Sequence, residues 1–139
     1  MQRTPDERPG KVYTIGHSTL ALQDLCAILR DHGISVVADV RRFPASRRNP
    51  QYARETLSSV LGDAGIGYVW LGDDLGGFRA DGYETYMTTD GFGRGISALE
   101  TIAGESPTAV LCAERDPAAC HRRFIADELT RRGWEVIHI

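Results

Sequence analysis

The sequence predicts an α/β fold, a three-layer sandwich with a mainly parallel sheet of about five strands and helices on both faces. Short apolar runs alternate along the chain with longer segments in which apolar residues recur every three or four positions. Most of these longer segments end near a glycine, as helices commonly do. Strict alternation of strands and helices favours parallel strands, because right-handed crossovers place helices on the two faces of the sheet.

Apolar runs of strand length, rich in β-branched and aromatic residues, divide the chain at regular intervals. Strands are predicted at residues 12–16 (VYTIG), 35–40 (SVVADV), 67–72 (GYVWLG), 108–113 (TAVLCA) and 134–139 (WEVIHI). Continuous apolar strands of this kind are typical of a parallel sheet that is covered on both faces.

Segments with helical spacing connect the predicted strands. Helices are expected over about 19–33, 52–65, 94–103 and 116–132. In the first two, leucines recur every three or four residues before a glycine. In the last, Asp116 as N-cap with Pro117 at the first helical position is a start signal. The order of elements therefore repeats strand and helix from one end of the chain to the other.

Residues 72–93 are rich in turn-forming residues and are predicted to be a long loop with one helical turn near 83–88. Loops of this length often carry function. Within it, Gly76 and Gly77 permit positive φ and a close approach of the backbone to a ligand. A plain turn is the alternative interpretation of this glycine pair.

Length and composition bound the class of protein. A chain of 139 residues, 42% hydrophobic and 25% charged, fits one globular domain. We place this domain at residues 12–139, behind a flexible polar tail of residues 1–11. No apolar run approaches the about 20 residues of a membrane span, and three widely spaced cysteines do not form a secreted disulfide framework. These features predict a cytoplasmic protein with no membrane partner.

Positive charge is concentrated in one loop although the net charge is −3, which does not itself point to a nucleic-acid partner. The stretch from Arg41 to Arg54 holds five arginines and no acidic residue. Arg41, Arg42, Arg47 and Arg48 could clamp a phosphate or carboxylate, with Tyr52 and Phe43 as stacking surfaces. The same loop suits single-stranded nucleic acid, and a solvated basic face is the third interpretation.

Unusual polar residues follow the predicted strands. Because the carboxyl ends of parallel strands meet at one edge, these residues predict a pocket there. The candidate catalytic residues are His17, Asp39, Cys112, Glu114 and His121, and the candidate ligand-binding residues are Ser18, Arg41, Arg47, Tyr52, Gly76, Gly77 and Arg122. We assign no metal ligands, and the cofactor is unknown.

Several of these residues have a structural alternative. His17 could exchange a proton or be a satisfied turn residue. The hydroxyl of Ser18 could bind an anion at a helix N-terminus or act only as a helix cap. Asp39, at the end of an apolar strand, must be paired, and an ion pair with Arg41 or Arg122 is as consistent with its position as a catalytic role.

The segment LCAERDPAACHRR, residues 111–123, places two thiols close together. The spacing of Cys112 and Cys120 does not match a zinc knuckle or the Cys-x2-Cys motif of a redox pair. The position six residues after Cys112 holds alanine rather than the arginine of a tyrosine-phosphatase loop. Cys120 is consistent with simple packing.

The remaining polar residues of this segment suit an enzyme pocket better. Glu114 or His121 could perform acid–base chemistry, and Arg122 could hold an anion or an internal carboxylate. Cys112 is a lesser candidate nucleophile. The start of the predicted helix adds electrostatic attraction for an anion.

These motifs resemble, in order and spacing, the bacterial and archaeal family catalogued as domain of unknown function 488. The resemblance covers about residues 12–139 and rests on YTIGHS, DVRRFPASRRNPQY, LGG and CAERDPAACHRRFIADELTRRGWEVIHI. It implies an α/β fold and assigns no reaction. Its signature positions are Gly16, His17, Ser18, Asp39, Arg41, Pro44, Ser46, Gly76, Gly77, Cys112, Glu114, Cys120, His121 and Arg122.

The leading hypothesis is a small cytoplasmic enzyme, of hydrolase or transferase type, with a pocket for a phosphorylated, nucleotide-like or other anionic ligand. One alternative is a non-catalytic module that binds nucleic acid or a partner through the Arg41–Arg54 loop. Another is a metal or thiol sensor that uses Cys112, Cys120 and His121.

Overall fold

A computed structural model of the chain describes residues 10–43, 49–77, 79, 82–114 and 121–139. In chain order, the elements are β1 (Lys11–Gly16), α1 (Leu22–Asp31), β2 (Val36–Asp39), a short 3₁₀ helix (Pro50–Tyr52), α2 (Arg54–Asp63), β3 (Gly67–Trp70), α3 (Gly72–Leu75), α4 (Tyr83–Tyr86), α5 (Asp90–Glu105), β4 (Thr108–Cys112), α6 (Arg122–Arg131) and β5 (Glu135–His138). Within these ranges, no helix is long and apolar enough to cross a membrane.

The strands form one five-stranded parallel sheet in the order β3-β2-β4-β1-β5. The register aligns the last residues of the inner strands, because Gly16 pairs with Cys112 and Asp39 pairs with Leu111. At the β3 side, Asp39 pairs with Trp70. The predicted parallel sheet is confirmed, and its carboxyl ends meet at one edge.

Two hydrophobic cores separate the sheet from its two helix layers, which confirms the three-layer architecture. On one face, side chains of α1 and α2 such as Leu25 and Leu57 pack against Ile15 and Leu111 of the sheet. On the other face, α5 and α6 cover the sheet through a core that includes Ile96, Leu99, Ile125, Leu129, Val12, Ala38, Val110 and Cys112. β4 is buried along its whole length, as expected of the central strand.

The region predicted as a long loop contains more helix than its sequence indicated. Helices α3 and α4 and the start of α5 lie in it, and the Thr89 hydroxyl caps α5 by accepting a hydrogen bond from the Phe92 amide. Some glycines of this region, such as Gly76, serve close packing, and so does Gly95 in the predicted helix that follows it. At Gly95, a Cβ atom would lie 2.6 Å from Leu75 Cγ of α3.

The connections leave the sheet in opposite directions from two neighbouring strands. From β1 the chain enters α1 on one face, whereas from β4 it enters the segment that leads to α6 on the other face. Such a switch point opens a crevice at the carboxyl edge, where open α/β sheets usually bind ligands. The polar residues predicted after β1 and β4 therefore lie at the crevice that the topology creates.

We predict that the substitution Gly95→Ala destabilises the protein. The added Cβ would require Leu75 or α5 to shift, and overpacking of this kind typically lowers the free energy of unfolding by about 1–3 kcal/mol. Urea denaturation of the purified variant and wild type measures the difference.

Gly93→Ala, two positions earlier in the same helix, is the matched control. A Cβ at Gly93 meets no atom within 4 Å. Since alanine favours a helix over glycine by about 0.5–1 kcal/mol, this variant is expected to be as stable as wild type or more stable. Equal destabilisation by the two substitutions would contradict close packing of α5 on α3.

Candidate functional site

The loops after β1 and β4 remain paired for two residues beyond their strands. The His17 amide donates to the Cys112 carbonyl oxygen at 2.9 Å, and the Ser18 amide donates to the Ala113 carbonyl oxygen at 2.9 Å. These bonds hold the backbone of His17 and Ser18 beside the segment that carries Cys112 and Glu114. The two hydrogen bonds therefore fix the position of the two loops relative to each other at the switch point.

A buried ion pair occupies the end of β2. Asp39 is fully buried and Arg41 is 7% exposed. Arg41 Nε donates to Asp39 Oδ1 at 2.9 Å and Nη2 donates to Oδ2 at 2.7 Å, while the Arg41 amide also donates to Oδ1 at 3.0 Å. The hydroxyl of Tyr68 from β3 donates to Oδ2 as well. Of the two arginines considered as partners of Asp39, Arg41 is the one that forms the pair.

The other side of the Arg41 guanidinium contacts the loop after β1. Its Nη1 donates to the Tyr52 carbonyl oxygen at 2.8 Å and lies 3.4 Å from Nε2 of His17. His17 Nδ1 lies 2.9 Å from the Ser18 carbonyl oxygen, which accepts only, so Nδ1 carries the proton and Nε2 accepts from Arg41. Burial is the main cause that lowers the pKa of His17, and Arg41 adds to the effect. His17 is thus a neutral imidazole with an assigned tautomer.

Tyr52 completes this group of residues. Its ring stacks on the His17 imidazole with the centroids 3.9 Å apart and the planes at 11°. Tyr52 is fully buried, and burial raises the pKa of its phenol to about 12. Among the described residues, its hydroxyl has no hydrogen-bond partner. Sequence reasoning expected Tyr52 to stack on a ligand, whereas here it stacks on a predicted site residue.

Ser18 has a backbone conformation that is rare for a residue with a side chain. Its φ is 45°, in the left-handed region, which costs about 1–2 kcal/mol for L-residues. The residue lines a cleft of about 380 Å³ next to the end of β1, together with Asp24 and aliphatic side chains that include Ile15 and Ile28. The strained residue therefore faces a space large enough for a small molecule.

Cys112, Glu114 and Arg122 meet at the end of β4. Cys112 Sγ donates to the Glu114 carbonyl oxygen at 3.4 Å, and Arg122 Nη2 donates to the same oxygen at 3.2 Å. Arg122 is fully buried, and its Nη1 also donates to Thr14 Oγ1 at 3.3 Å. Cys112 is 1% exposed and packs in the core under α5 and α6, whereas the side chain of Glu114 is exposed.

His121 lies at the start of α6 and faces the end of β2. Its Nε2 donates to the Val40 carbonyl oxygen, 3.2 Å away, and its ring lies 5.2 Å from the ring of Tyr83. On the other side of the imidazole, a Cβ at Gly77 would lie 3.1 Å from Nδ1. The imidazole of His121 therefore fits against the backbone of Gly77 because this residue has no side chain.

Gly76 has a packing role of the same kind. A Cβ there would lie 2.3 Å from the Gly72 carbonyl oxygen and 2.4 Å from Arg42 Cβ, so only glycine fits. Arg79 holds this turn, since its Nε donates to the Gly76 carbonyl oxygen at 2.9 Å and its Nη2 to that of Asp73 at 2.6 Å. The glycine pair brings the turn against the loop after β2 and against His121.

The structure brings most of the predicted residues to one edge in three groups. His17, Asp39, Arg41 and Tyr52 form the first group, Cys112, Glu114 and Arg122 form the second, and His121 with Gly77 forms the third. Arg47 and Cys120 lie outside the described residues. In the part of the chain that the structure describes, no group of three or more His, Cys, Asp or Glu side chains could hold a metal ion.

Aromatic residues of β3 and α4 hold the site from outside, and sequence reasoning missed the two in β3. Tyr68 and Trp70 of β3 donate to Asp39 and to the Arg41 carbonyl oxygen, respectively. Tyr83 and Tyr86 donate to carbonyl oxygens in α3. A sequence signal exists in both cases, because each pair has the spacing that places two side chains on one face of its strand or helix.

The fold and this polar edge define a small α/β protein with a parallel sheet and a switch point between its first and fourth strands. The family model described as "Domain of unknown function DUF488" matches residues 21–81 and 78–129. The chain belongs to this family, as the resemblance of its motifs indicated. No curated protein matches the sequence.

We predict that stability falls when the pH is lowered through the histidine range. Because the pKa of His17 is lowered from its ordinary value of 6.5, the unfolded chain takes up a proton that the folded site does not. This contribution is fully present above pH 6.5 and is lost as the pH falls toward the lowered pKa. Urea denaturation across this range measures a slope of up to about 1.4 kcal/mol per pH unit for one proton.

The substitution His17→Asn keeps a donor near the Ser18 carbonyl oxygen and removes the titration, so it is expected to give a shallower pH profile. His138 contributes separately, since its pKa is lowered first by burial and then by Arg122. His138→Asn therefore reduces the remaining slope. An unchanged profile for His17→Asn would show that His17 is not held neutral.

We also predict a large loss of stability on removal of the Asp39 charge. Asp39→Asn leaves the buried Arg41 guanidinium uncompensated, at a cost of about 3–5 kcal/mol in the free energy of unfolding. Tyr68→Phe removes only one hydrogen bond to that carboxylate and costs about 1–3 kcal/mol.

Arg94→Gln is the control for an ordinary ion pair. Arg94 is 69% exposed and lies 4.0 Å from Asp74, so its loss is expected to cost about 1 kcal/mol or less. Urea denaturation near neutral pH ranks the three variants. A cost for Asp39→Asn no larger than that for Arg94→Gln would contradict the buried pair.

Proposed function

We propose that this protein is a cytoplasmic enzyme of hydrolase or transferase type whose substrate is a small phosphorylated or nucleotide-like anion. The substrate binds at the carboxyl edge of β1, β2 and β4. The observation that carries the proposal is the placement of two buried guanidinium groups, an ordered neutral histidine and a strained serine around one switch point. Two of the cysteines, Cys26 and Cys112, are free thiols, which suits a reducing compartment.

Electrostatics supports an anionic ligand. Guanidinium groups remain charged when buried, and their fields act over longer distances inside a protein than in water. Arg41 is paired with Asp39, and Arg122 donates to the Thr14 hydroxyl and to the Glu114 carbonyl oxygen. Arg122 is also the first residue of α6, where the helix dipole adds positive potential. The buried Arg122 guanidinium and the start of α6 therefore make the end of β4 a favourable position for a negative charge.

The proposed acid–base pair is Glu114 and His121. The Glu114 carboxylate is exposed, so a ligand at this edge can reach it. His121 is half-buried, and its Nε2 donates to the Val40 carbonyl oxygen, which fixes the orientation of the ring. An oriented imidazole and an exposed carboxylate at the same edge of the sheet are groups suited to proton transfer.

The other candidates take supporting roles in this proposal. His17 accepts from Arg41 and stacks on Tyr52, so it positions the loop after β1. Cys112 lies in the hydrophobic core with its thiol bonded to a carbonyl oxygen, which favours acid–base chemistry over attack by a thiolate. Ser18 faces the adjacent cleft, whose volume of about 380 Å³ suits the uncharged part of a small ligand.

A thermal-shift screen tests the proposal. We expect inorganic phosphate, a nucleoside monophosphate or a sugar phosphate to raise the melting temperature, because a ligand that binds only the folded state stabilises it. The matching uncharged nucleoside and sugar should have a smaller effect. With the ligand that binds, turnover assays should show that Glu114→Gln and His121→Gln each reduce kcat by about 100-fold or more.

Glu135→Gln is the matched control, since Glu135 is an exposed carboxylate at the start of β5, at the opposite edge of the sheet. It should retain wild-type binding and turnover. If no anion stabilises the protein, or if the variants at residues 114 and 121 match the control in turnover, the proposed function is wrong.

A further inference from the structure

We infer that the surface formed by Arg42, Phe43, Arg54 and Trp70 binds single-stranded nucleic acid, with bases stacked on the two aromatic rings. This surface, named here the aromatic ledge, lies where β2 and β3 end. The inference goes beyond the proposed enzymatic activity and does not depend on it.

Phe43 is the first component of the ledge. It is 63% exposed, and within the described ranges it is the one large hydrophobic side chain that is exposed. A single exposed aromatic residue is not unusual in a soluble protein. Phe43 differs from such a residue because it has a cation next to it. The Arg42 guanidinium carbon lies over its ring, 5.5 Å from the centroid.

Trp70 supplies a second ring on the same edge. It is the last residue of β3, an edge strand, and its indole is half-buried. Its Nε1 donates to the Arg41 carbonyl oxygen at 2.7 Å, which holds the chain that leads to Phe43 against the indole. The Arg54 guanidinium carbon lies 4.8 Å from the indole centroid. Each ring of the ledge thus has a guanidinium group over one of its faces, and a base would stack on the opposite face.

The positive charge of this part of the chain favours a negatively charged partner such as a nucleic acid. Residues 41–54 include five arginines and no acidic residue, in a protein whose net charge is −3. Arg41 pairs with Asp39, and the guanidinium groups of Arg42 and Arg54 lie over the rings of the ledge. Guanidinium groups bind phosphates and stack on bases, so aromatic and arginine side chains together match a nucleic-acid strand.

The geometry favours a single strand over other partners. Bases in a duplex are already stacked on each other, and flat aromatic side chains bind bases that are unpaired. A protein partner would need a much larger apolar area than one exposed phenylalanine provides. The ledge is therefore suited to a strand whose backbone runs past the arginines while its bases cover Phe43 and Trp70.

Fluorescence anisotropy with labelled oligonucleotides of about 12 nucleotides tests the inference on the full chain. The probes are a mixed-sequence single-stranded DNA, the RNA of the same sequence, and the DNA as a duplex, at about 50 mM and about 200 mM salt. We expect at least one single strand to bind more tightly than the duplex, with affinity falling as salt increases. The DNA and RNA arms show which backbone is preferred.

Variants separate stacking from charge. Phe43→Ala is expected to weaken binding about 5-fold to about 150-fold without changing the salt dependence, and Phe43→Tyr should restore binding. Arg54→Ala should reduce the slope of log affinity against log salt by about 0.7. Arg30→Ala is the matched control, because it removes an exposed arginine from the end of α1, at the opposite edge of the sheet, and should leave stacking unchanged.

The inference is overturned if no single strand binds at low salt, if the duplex binds as tightly, or if Phe43→Ala binds like wild type while circular dichroism shows it folded. These outcomes are independent of the thermal-shift screen with small anions. A failure of the ledge and a failure of the proposed enzyme can therefore be told apart.

Discussion

The carboxyl edge of the sheet is organised around the buried ion pair between Asp39 and Arg41. A carboxylate and a guanidinium at this depth persist only when their hydrogen bonds are satisfied, and here the bidentate pair and the Tyr68 hydroxyl satisfy Asp39. The remaining contacts of Arg41 reach the Tyr52 carbonyl oxygen and His17 Nε2. One guanidinium group therefore joins the ends of β1 and β2 to the short 3₁₀ helix.

The strain at Ser18 follows from this arrangement. His17 lies between Arg41 and the ring of Tyr52, and its Nδ1 proton needs an acceptor in the plane of the imidazole. The Ser18 carbonyl oxygen provides it while the Ser18 amide bonds to Ala113, and both bonds are formed with φ at 45°. Two hydrogen bonds, each contributing about 1 kcal/mol, are comparable to the cost of the left-handed conformation. The strained loop is thus a consequence of how the histidine is held.

The sequence was sufficient for the fold and for the location of the polar residues, but not for their partners. Apolar periodicity and parallel topology place His17, Asp39 and Cys112 at one edge, as the register confirms. The choice of Arg41 over Arg122 as the partner of Asp39 depends on distances between elements, which no local pattern contains. The first turn of α5, residues 90–93, was predicted as loop because a glycine within a helix looks the same in sequence as one in a turn.

The ion pair also explains why the two proposed activities lie side by side. A buried pair of this kind is often no more stable than apolar residues of the same volume, so stability alone is a poor reason for it. Here the ion pair holds the loops after β1 and β2 in one arrangement, through the contacts of Arg41 with His17 and the Tyr52 carbonyl oxygen. The Arg41 carbonyl oxygen accepts from Trp70 of the aromatic ledge, while its guanidinium holds His17 at the switch point. Arg41 therefore contacts both surfaces, through hydrogen bonds from its backbone carbonyl oxygen and from its guanidinium group.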